Sequence, residues 1–309
     1  MTTASLASGL SAGLDPRALI VFEQVCLSGS ISAAARALGV SQPSVSQTIA
    51  SLEARLGSSL LKRKANGISL TPEGRALRVK AAALSNLLHD ARAVVAHAAQ
   101  GVSGPIKIGG TPGALVSLVP RAVRLLDQMR EAFEMSVIEA SEQVLSDMLQ
   151  RREIELALVT TGISDPGDAY REWTVAQDPF SLIVGRNHDG LPSSIMISEV
   201  SDLPWVLPRE GGGFRRQISS LFVGAQVTEP TNVIRCDSLL TTKSIVRTTD
   251  RVTILPRGVV EAELSVGVLR AIEIRDVTFQ RRIGIRALNG IDLTPLAARV
   301  IEVLRRGIS

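Results

Sequence analysis

Residues 28–74 read SGSISAAARALGVSQPSVSQTIASLEARLGSSLLKRKANGISLTPEG, and the placing of small polar side chains in this stretch decides the fold of the first third of the chain. Ser30 can cap a helix in which Ile31, Ala34, Ala35 and Leu38 recur at helical spacing. Gly39-Val40 turns the chain, and Ser41 opens a third helix with Pro43 in its first turn. Val45, Ile49, Leu52 and Leu56 form one apolar stripe on that helix, so one face is committed to a core. The opposite face near its start holds Gln42, Ser44 and Gln47, with Ser46 toward the edge. A solvated face ordinarily carries Lys and Glu; short uncharged polar groups let another surface come close. Glutamine also sets a donor beside an acceptor, the pair that a base edge offers in a major groove. Gly57 closes the helix, and LLKRKANGISLT (60–71) then reads as two extended pieces joined at Asn-Gly, a hairpin signal. Lys62, Arg63 and Lys64 lie on it. Two helices at a tight corner followed by a basic hairpin make a winged helix-turn-helix.

Upstream, Asp15-Pro16 is a helix start, with Asp as cap and Pro in the first turn. Leu19, Ile20, Phe22, Val25, Cys26 and Leu27 supply the apolar face of this first helix, and Gly29 ends it. Downstream, residues 72–98 form one long helical pattern. Leu77, Ala81, Leu84, Leu88, Ala91, Val95 and Ala98 are spaced alternately by four and three, a coiled-coil seam. Such a seam needs a partner, either a second copy of the helix or the protein's own body. Self-pairing would hold two heads at a fixed spacing, as a pseudo-palindromic DNA site requires.

The whole chain, 309 residues with 45% apolar and 21% charged residues, has room for two or three globular domains. Its net charge of +4 is unevenly placed: residues 1–98 hold ten basic against five acidic side chains, the remainder 24 against 25. An anionic polymer is therefore the expected partner of the front third. Two cysteines, Cys26 and Cys236, make no disulfide framework and fit a reducing compartment. The opening MTTASLASGLSAGL has no basic residue and no continuous apolar core, unlike a secretory signal, and reads as a loose tail. No run approaches the ~18 apolar residues of a membrane span. A cytoplasmic protein is expected.

The stretches SISAAARALGVSQPSVSQTIASLEARLGSSLLKR and ISLTPEGRAL, within about residues 18–95, resemble the DNA-binding module and linker helix of the LysR-type transcriptional regulators. The match is long and specific. It implies a winged helix-turn-helix over 15–74, a dimerisation helix over 75–98, a hinge at 99–104 and an effector-binding domain over 105–309. It also implies that Gln42, Pro43, Ser44, Ser46 and Gln47 of the recognition helix meet double-stranded DNA, with Ser32 and Arg63 near phosphates. Gln47 stands where many relatives carry Arg, which replaces a phosphate contact by a weaker or base-directed one. A homo-oligomer, dimer or tetramer, and RNA polymerase are the implied protein partners.

Beyond AQGVSG (99–104), extended runs alternate with helical ones, at 106–109, 114–129 with an interruption near Pro120, 135–140, 142–150 and 156–160, and again from 180 onward. Alternation of this kind is the mark of an α/β sheet. The resemblance implies two Rossmann-like lobes of the periplasmic-binding-protein kind, lobe one from 105–177 and 280–309, lobe two from 178–279. Ligands of open α/β sheets lie beyond the carboxyl ends of strands, where helix N-termini present N–H groups. Thr111, Ser141, Thr160, Thr161, Arg209, Gly212, Gly213 and Ser238 occupy such joints. Each is also an ordinary helix-cap residue; their convergence on one inter-lobe cleft is what the resemblance adds. They suit a small polar effector, and an organic anion would be countered by Arg209. Trp205 and Phe214 read as core residues, and Cys236 as a buried thiol.

No catalytic pattern emerges: His89, His97 and His188 have no metal-ligand spacing, GGGFRR (211–216) lacks the GK[ST] ending of a P-loop, and no nucleophile elbow is present. Neither enzymatic activity nor a cofactor is expected. Two rival readings stay open on sequence, a solute-binding module whose first helices only dimerise, and an α/β enzyme with a fused DNA-binding head.

Overall fold

The computed structural model describes residues 14–64, 67–162, 165–209, 212–276 and 280–306; the N-terminal tail and the Asn66 turn lie outside them, as do the side chains of Arg63 and Gln280 and the surroundings of Gly212. The chain divides into two compact units, one comprising residues 1–101 with 147–153, the other 102–146 with 154–309.

The first unit is the head. Helix α1 (Pro16–Ser28) begins at Asp15, whose side chain accepts from the Arg17 amide, and α2 (Ile31–Leu38) begins at Ser30, which accepts from Ala33. Helix α3 (Gln42–Leu56) begins at Ser41, which accepts from Ser44. Each of the three ends at a glycine in the left-handed region, Gly29, Gly39 and Gly57. Phe22 and Val25 of α1, Ala34 of α2 and Val45, Ile49 and Leu52 of α3 close on one core. Full burial of a side chain such as Phe22 stabilises by about 1.5–3 kcal/mol. Strands β1 (Leu61–Lys64) and β2 (Gly67–Leu70) pair antiparallel to form the wing.

Helix α4 (Pro72–Ala99) is capped by Thr71. Its seam is divided between two fates. Ala81 is fully buried and Leu77 packs on the head core, whereas Leu88 and Val95 are exposed, Val95 by 71%, as are Leu87 and Val94 beside the seam.

The second unit is built on one sheet in the order β4-β3-β5-β12-β6-β11-β7, with β10 also paired to β6. Its members are β3 (Ser103–Gly110), β4 (Phe133–Glu139), β5 (Leu156–Thr160), β6 (Tyr170–Val184), β7 (Ser194–Ile195), β10 (Thr253–Pro256), β11 (Arg270–Ile274) and β12 (Gln280–Leu288). The short strands β8 (Trp205–Leu207) and β9 (Val233–Arg235) pair separately. Three apolar clusters result among the described residues, the smallest formed by Ile183, Val206, Val246, Leu255, Val260 and Leu269. Of the larger two, one joins β3, β5 and β12 to α5 (Pro112–Asp127) and α10 (Pro295–Arg306). The other joins β6, β8, β10 and β11 to α7 (Gly212–Gly224). Helices α6 (Glu142–Gln150), α8 (Leu239–Thr248) and α9 (Glu261–Ser265) complete the chain. Strands β6 and β12 run antiparallel side by side and carry the chain between the two lobes.

Two local expectations change. Helix α5 runs unbroken through Pro120: one ladder bond is lost, but Leu118, Ala122 and Leu126 hold the helix in the core on both sides of it. Cys236 is half-buried, not buried, and its thiol donates to the Ser238 carbonyl at 3.6 Å. Trp205 is fully buried, donates its indole N–H to the Val200 carbonyl and meets Phe222 edge-on at 5.4 Å. Phe214 is half-buried and packs on Phe180 at 6.2 Å.

Candidate functional site

On the head, the residues singled out by sequence share one exposed region. Gln42, Pro43, Ser44 and Gln47 are exposed on the first two turns of α3, Ser46 is half-buried at their edge, and Ser32 is exposed at the start of α2. The Ser44 amide is taken by the Ser41 cap, and Thr48 Oγ1 donates back to the Ser44 carbonyl at 2.9 Å. The turn is therefore fixed while both glutamine amides face outward. Lys62 and Lys64 are exposed on the wing strand that also contains Arg63.

Three devices that the sequence reading missed orient this wing. Glu53, on α3, accepts from the Leu60 and Leu61 amides at 2.7 and 3.1 Å. Thr71 caps Gly74 at 2.9 Å and donates to the Ser59 carbonyl at 2.7 Å. The Ile68 amide donates to the Gly29 carbonyl, and a Cβ on Gly67 would lie 2.8 Å from that same oxygen. Below the wing, Glu23 is only 6% exposed and stands 3.7 Å from Arg78 on α4. Burial pushes its carboxyl up, and Arg78 offsets part of that. Burial, with Glu23 beside it, pushes the Cys26 thiol up to about 12, which leaves it inert at neutral pH.

In the second unit, Thr111 follows β3 and opens α5, Thr160 ends the neighbouring β5 with Thr161 just beyond it, and Ser141 lies between β4 and α6. The Thr111 hydroxyl makes no cap bond and is buried without a partner among the described residues. Thr160 Oγ1 accepts from Arg281 Nε at 3.2 Å, while Thr161 is buried and bonded to Thr174 at 2.8 Å. Opposite Ser141's helix, a Cβ on Gly213 would stand 3.4 Å from Glu142 Oε2, so the start of α7 faces the start of α6 across the lobes. Arg209 and Ser238 lie together at the ends of β8 and β9, but each is otherwise engaged. Arg209 is exposed, with its amide on Asp237 and its Nε 4.0 Å from that carboxylate. Ser238 caps α8 through Thr241.

The crossover strands contain what the sequence reading did not find. Asp178 of β6 is directly opposite Arg281 of β12, and they are 4% and 3% exposed. Asp178 accepts from the Gly258 amide of lobe two at 2.9 Å and from Ser117 of lobe one at 3.4 Å. Burial raises its carboxyl; the Gly258 N–H and then Arg281 pull it back. Burial likewise lowers the Arg281 guanidinium, with Asp178 opposing. Nothing in sequence set the pair apart, because β6 also holds Arg171 and Glu172 and β12 also holds Arg282 and Arg286.

These two sites, a polar helix face beside a basic wing and a two-lobed α/β body, are matched by family descriptions. "Bacterial regulatory helix-turn-helix protein, lysR family" matches residues 16–75, and "LysR substrate binding domain" matches residues 99–309. The chain belongs to the LysR family. It is a DNA-binding transcriptional regulator with an effector-binding domain. Among its relatives, the HTH-type transcriptional regulator GbpR of Rhizobium radiobacter is 26% identical over 79% of this chain and 81% of its own length. The fold is shared with CbnR, a LysR-family regulator solved alone and with its target DNA, at 22% identity, 95% and 99% coverage and a TM-score of 0.68. ArgP of Mycobacterium tuberculosis, 18% identical over 95% of this chain and 97% of its own, has a TM-score of 0.70. Among the described residues no single helix is long and apolar enough to cross a membrane.

Proposed function

We propose that this LysR-family regulator pairs through α4 and reads DNA with the start of α3, under control of a small molecule held between the two lobes of its second unit. The observation that carries the reading is the exposed Gln42–Gln47 face, locked by the Ser41 cap and flanked by a basic wing. Phosphate contacts from the wing and from the start of α2 give affinity and salt dependence; the glutamine amides give the choice of site. The exposed Leu88 and Val95 of α4 supply the apolar seam for a second copy. Thr111 and Ser141 on lobe one, with Gly213 beside Glu142, are the framework for the effector, which is bound and released unchanged. Its binding would alter lobe closure and so the presentation of the heads to a promoter and to RNA polymerase, in the cytoplasm.

The test is competition binding of the full chain to a fragment from upstream of its own gene. Gln42→Ala with Gln47→Ala is expected to lose site preference while thermal stability stays near that of the parent. Undiminished preference in the double variant would remove the recognition-face reading. Failure of the parent to select any sequence at any salt would favour a solute-binding module instead.

A further inference from the structure

The lobe-to-lobe crossover holds an arginine whose hydrogen-bonding capacity is not used up. Arg281 is 3% exposed, its Nε is committed to Thr160 Oγ1, and its Nη1 is buried with no hydrogen-bond partner among the described residues. A buried guanidinium N–H left unmade costs free energy, so a donor held in this state is an expectation of an acceptor. The neighbouring Asp178 does not fill that place: its oxygens accept from Gly258 N–H and Ser117 Oγ, and no hydrogen bond among the described residues joins it to Nη1.

Nη1 is aimed at the start of α5. An ideal Cβ on Gly113 would lie 3.0 Å from Nη1 and 3.4 Å from Nη2, so the absence of a side chain at Gly113 is what leaves the guanidinium its place. Two residues earlier stands Thr111, whose hydroxyl neither caps the helix nor meets any described partner. Pro112 presents no N–H, and the Ala114 and Leu115 amides both turn back to the Thr111 carbonyl. The beginning of a 16-residue helix, with its positive dipole end, thus borders a buried free guanidinium N–H and a free hydroxyl.

We propose that Arg281 is the residue that recognises the charged end of the effector, a carboxylate, with Thr111 Oγ1 and the first turn of α5 completing the receptor. Arg209, exposed and held against Asp237, is not needed for that charge. The two carboxylate oxygens accept from Nη1 and from the Thr111 hydroxyl; the helix start favours the negative charge, and no proton changes hands. Because Arg281 is carried on β12 and bonded to Thr160 of β5, the receptor belongs to lobe one but borders Asp178 and Gly258, through which lobe two is attached. Occupancy is thereby felt at the joint between lobes. The inference rests on the effector-site reading of this region.

The experiment follows thermal unfolding of the full chain at neutral pH in a carboxylate-free buffer, with sodium acetate as probe against acetamide, ionic strength balanced with chloride. Acetate up to about 100 mM should raise the melting temperature in a concentration-dependent way, and acetamide should not. Arg281→Lys should weaken the acetate response at least roughly tenfold, since an ammonium cannot reproduce the planar fork. Thr111→Val, close to the parent in shape, should weaken it too and keeps the test decisive if Arg281→Lys fails to fold. An acetate response absent from the parent, equalled by acetamide, or undiminished in Thr111→Val overturns the proposal. DNA selection is measured on the same preparations. Selective DNA binding without an acetate response sinks the receptor alone; an acetate response without DNA selection sinks the regulatory reading and leaves the receptor standing.

Discussion

Gly74 has no room for a side chain: a Cβ there would come within 2.1 Å of the Leu60 carbonyl oxygen. Since that contact is with backbone at the wing's base, neither partner can move aside cheaply. Gly74→Ala is expected to destabilise the head by about 1–3 kcal/mol or more, seen as an earlier transition in urea. Glu53→Ala leaves the Leu60 and Leu61 amides without their acceptor and should cost about 1–3 kcal/mol for the same reason of unmet donors. A third residue, Glu23, carries a pH signature. Its folded carboxyl is raised above the ordinary 4.5, so the folded state holds the proton more tightly than the unfolded one. Its contribution is therefore largest below 4.5 and falls as pH climbs through the raised value. Unfolding free energies of the parent and of Glu23→Gln should diverge over that rise, the parent losing more. None of these three residues was legible in sequence, because each acts through a contact with another segment. A pattern along the chain shows which residues face inward; it does not show which carbonyl is waiting there.

At the scale of elements, caps and stripes were legible. Asp15, Ser30 and Ser41 cap the helices they were expected to cap, and Val45, Ile49 and Leu52 face the core, whereas Leu56, read into the same stripe, is exposed in the last turn. Helix α4 was half legible. Its spacing is regular from Leu77 to Ala98, yet the first turns are absorbed by the head core and the later ones are left bare. Periodicity cannot tell a seam for a second copy from a seam for the helix's own body; in the structure Leu77 and Ala81 serve the head's own core, while Leu88 and Val95 are exposed. Leu88→Glu with Val95→Glu should therefore lower the oligomeric state in sedimentation while the head's unfolding transition is kept. An unchanged sedimentation coefficient would place the pairing surface elsewhere. The effector joints were legible as strand-to-helix boundaries, but their hydroxyls differ in availability. Thr161 is spent on Thr174 and Ser238 on its own helix, while Thr111 remains open. That difference is set by neighbouring strands, which sequence order does not reveal.

Across the whole molecule, the alternation of strands and helices announced an α/β body, but not the long antiparallel pair β6 and β12 that stitches its lobes. Ile283, Ile285 and Ala287 of β12 and Leu296, Ala297 and Val300 of α10 belong to lobe one's core, far along the chain from its other members. Stopping the chain after residue 279 should leave that core unclosed. Limited proteolysis is expected to cut such a variant readily between residues 102 and 279 while sparing 14–99; protection of the body equal to that of the parent would contradict the stitched architecture.

The same stitching imposes a schedule on synthesis. The head's last helix leaves the ribosome on the order of 180 residues before β12, roughly ten to forty seconds earlier at ordinary elongation speeds. During that interval a nascent polypeptide carries a finished DNA reader and no working sensor. Messages cut short upstream of codon 280 would make that interval permanent, yielding fragments that occupy promoters yet ignore the metabolite.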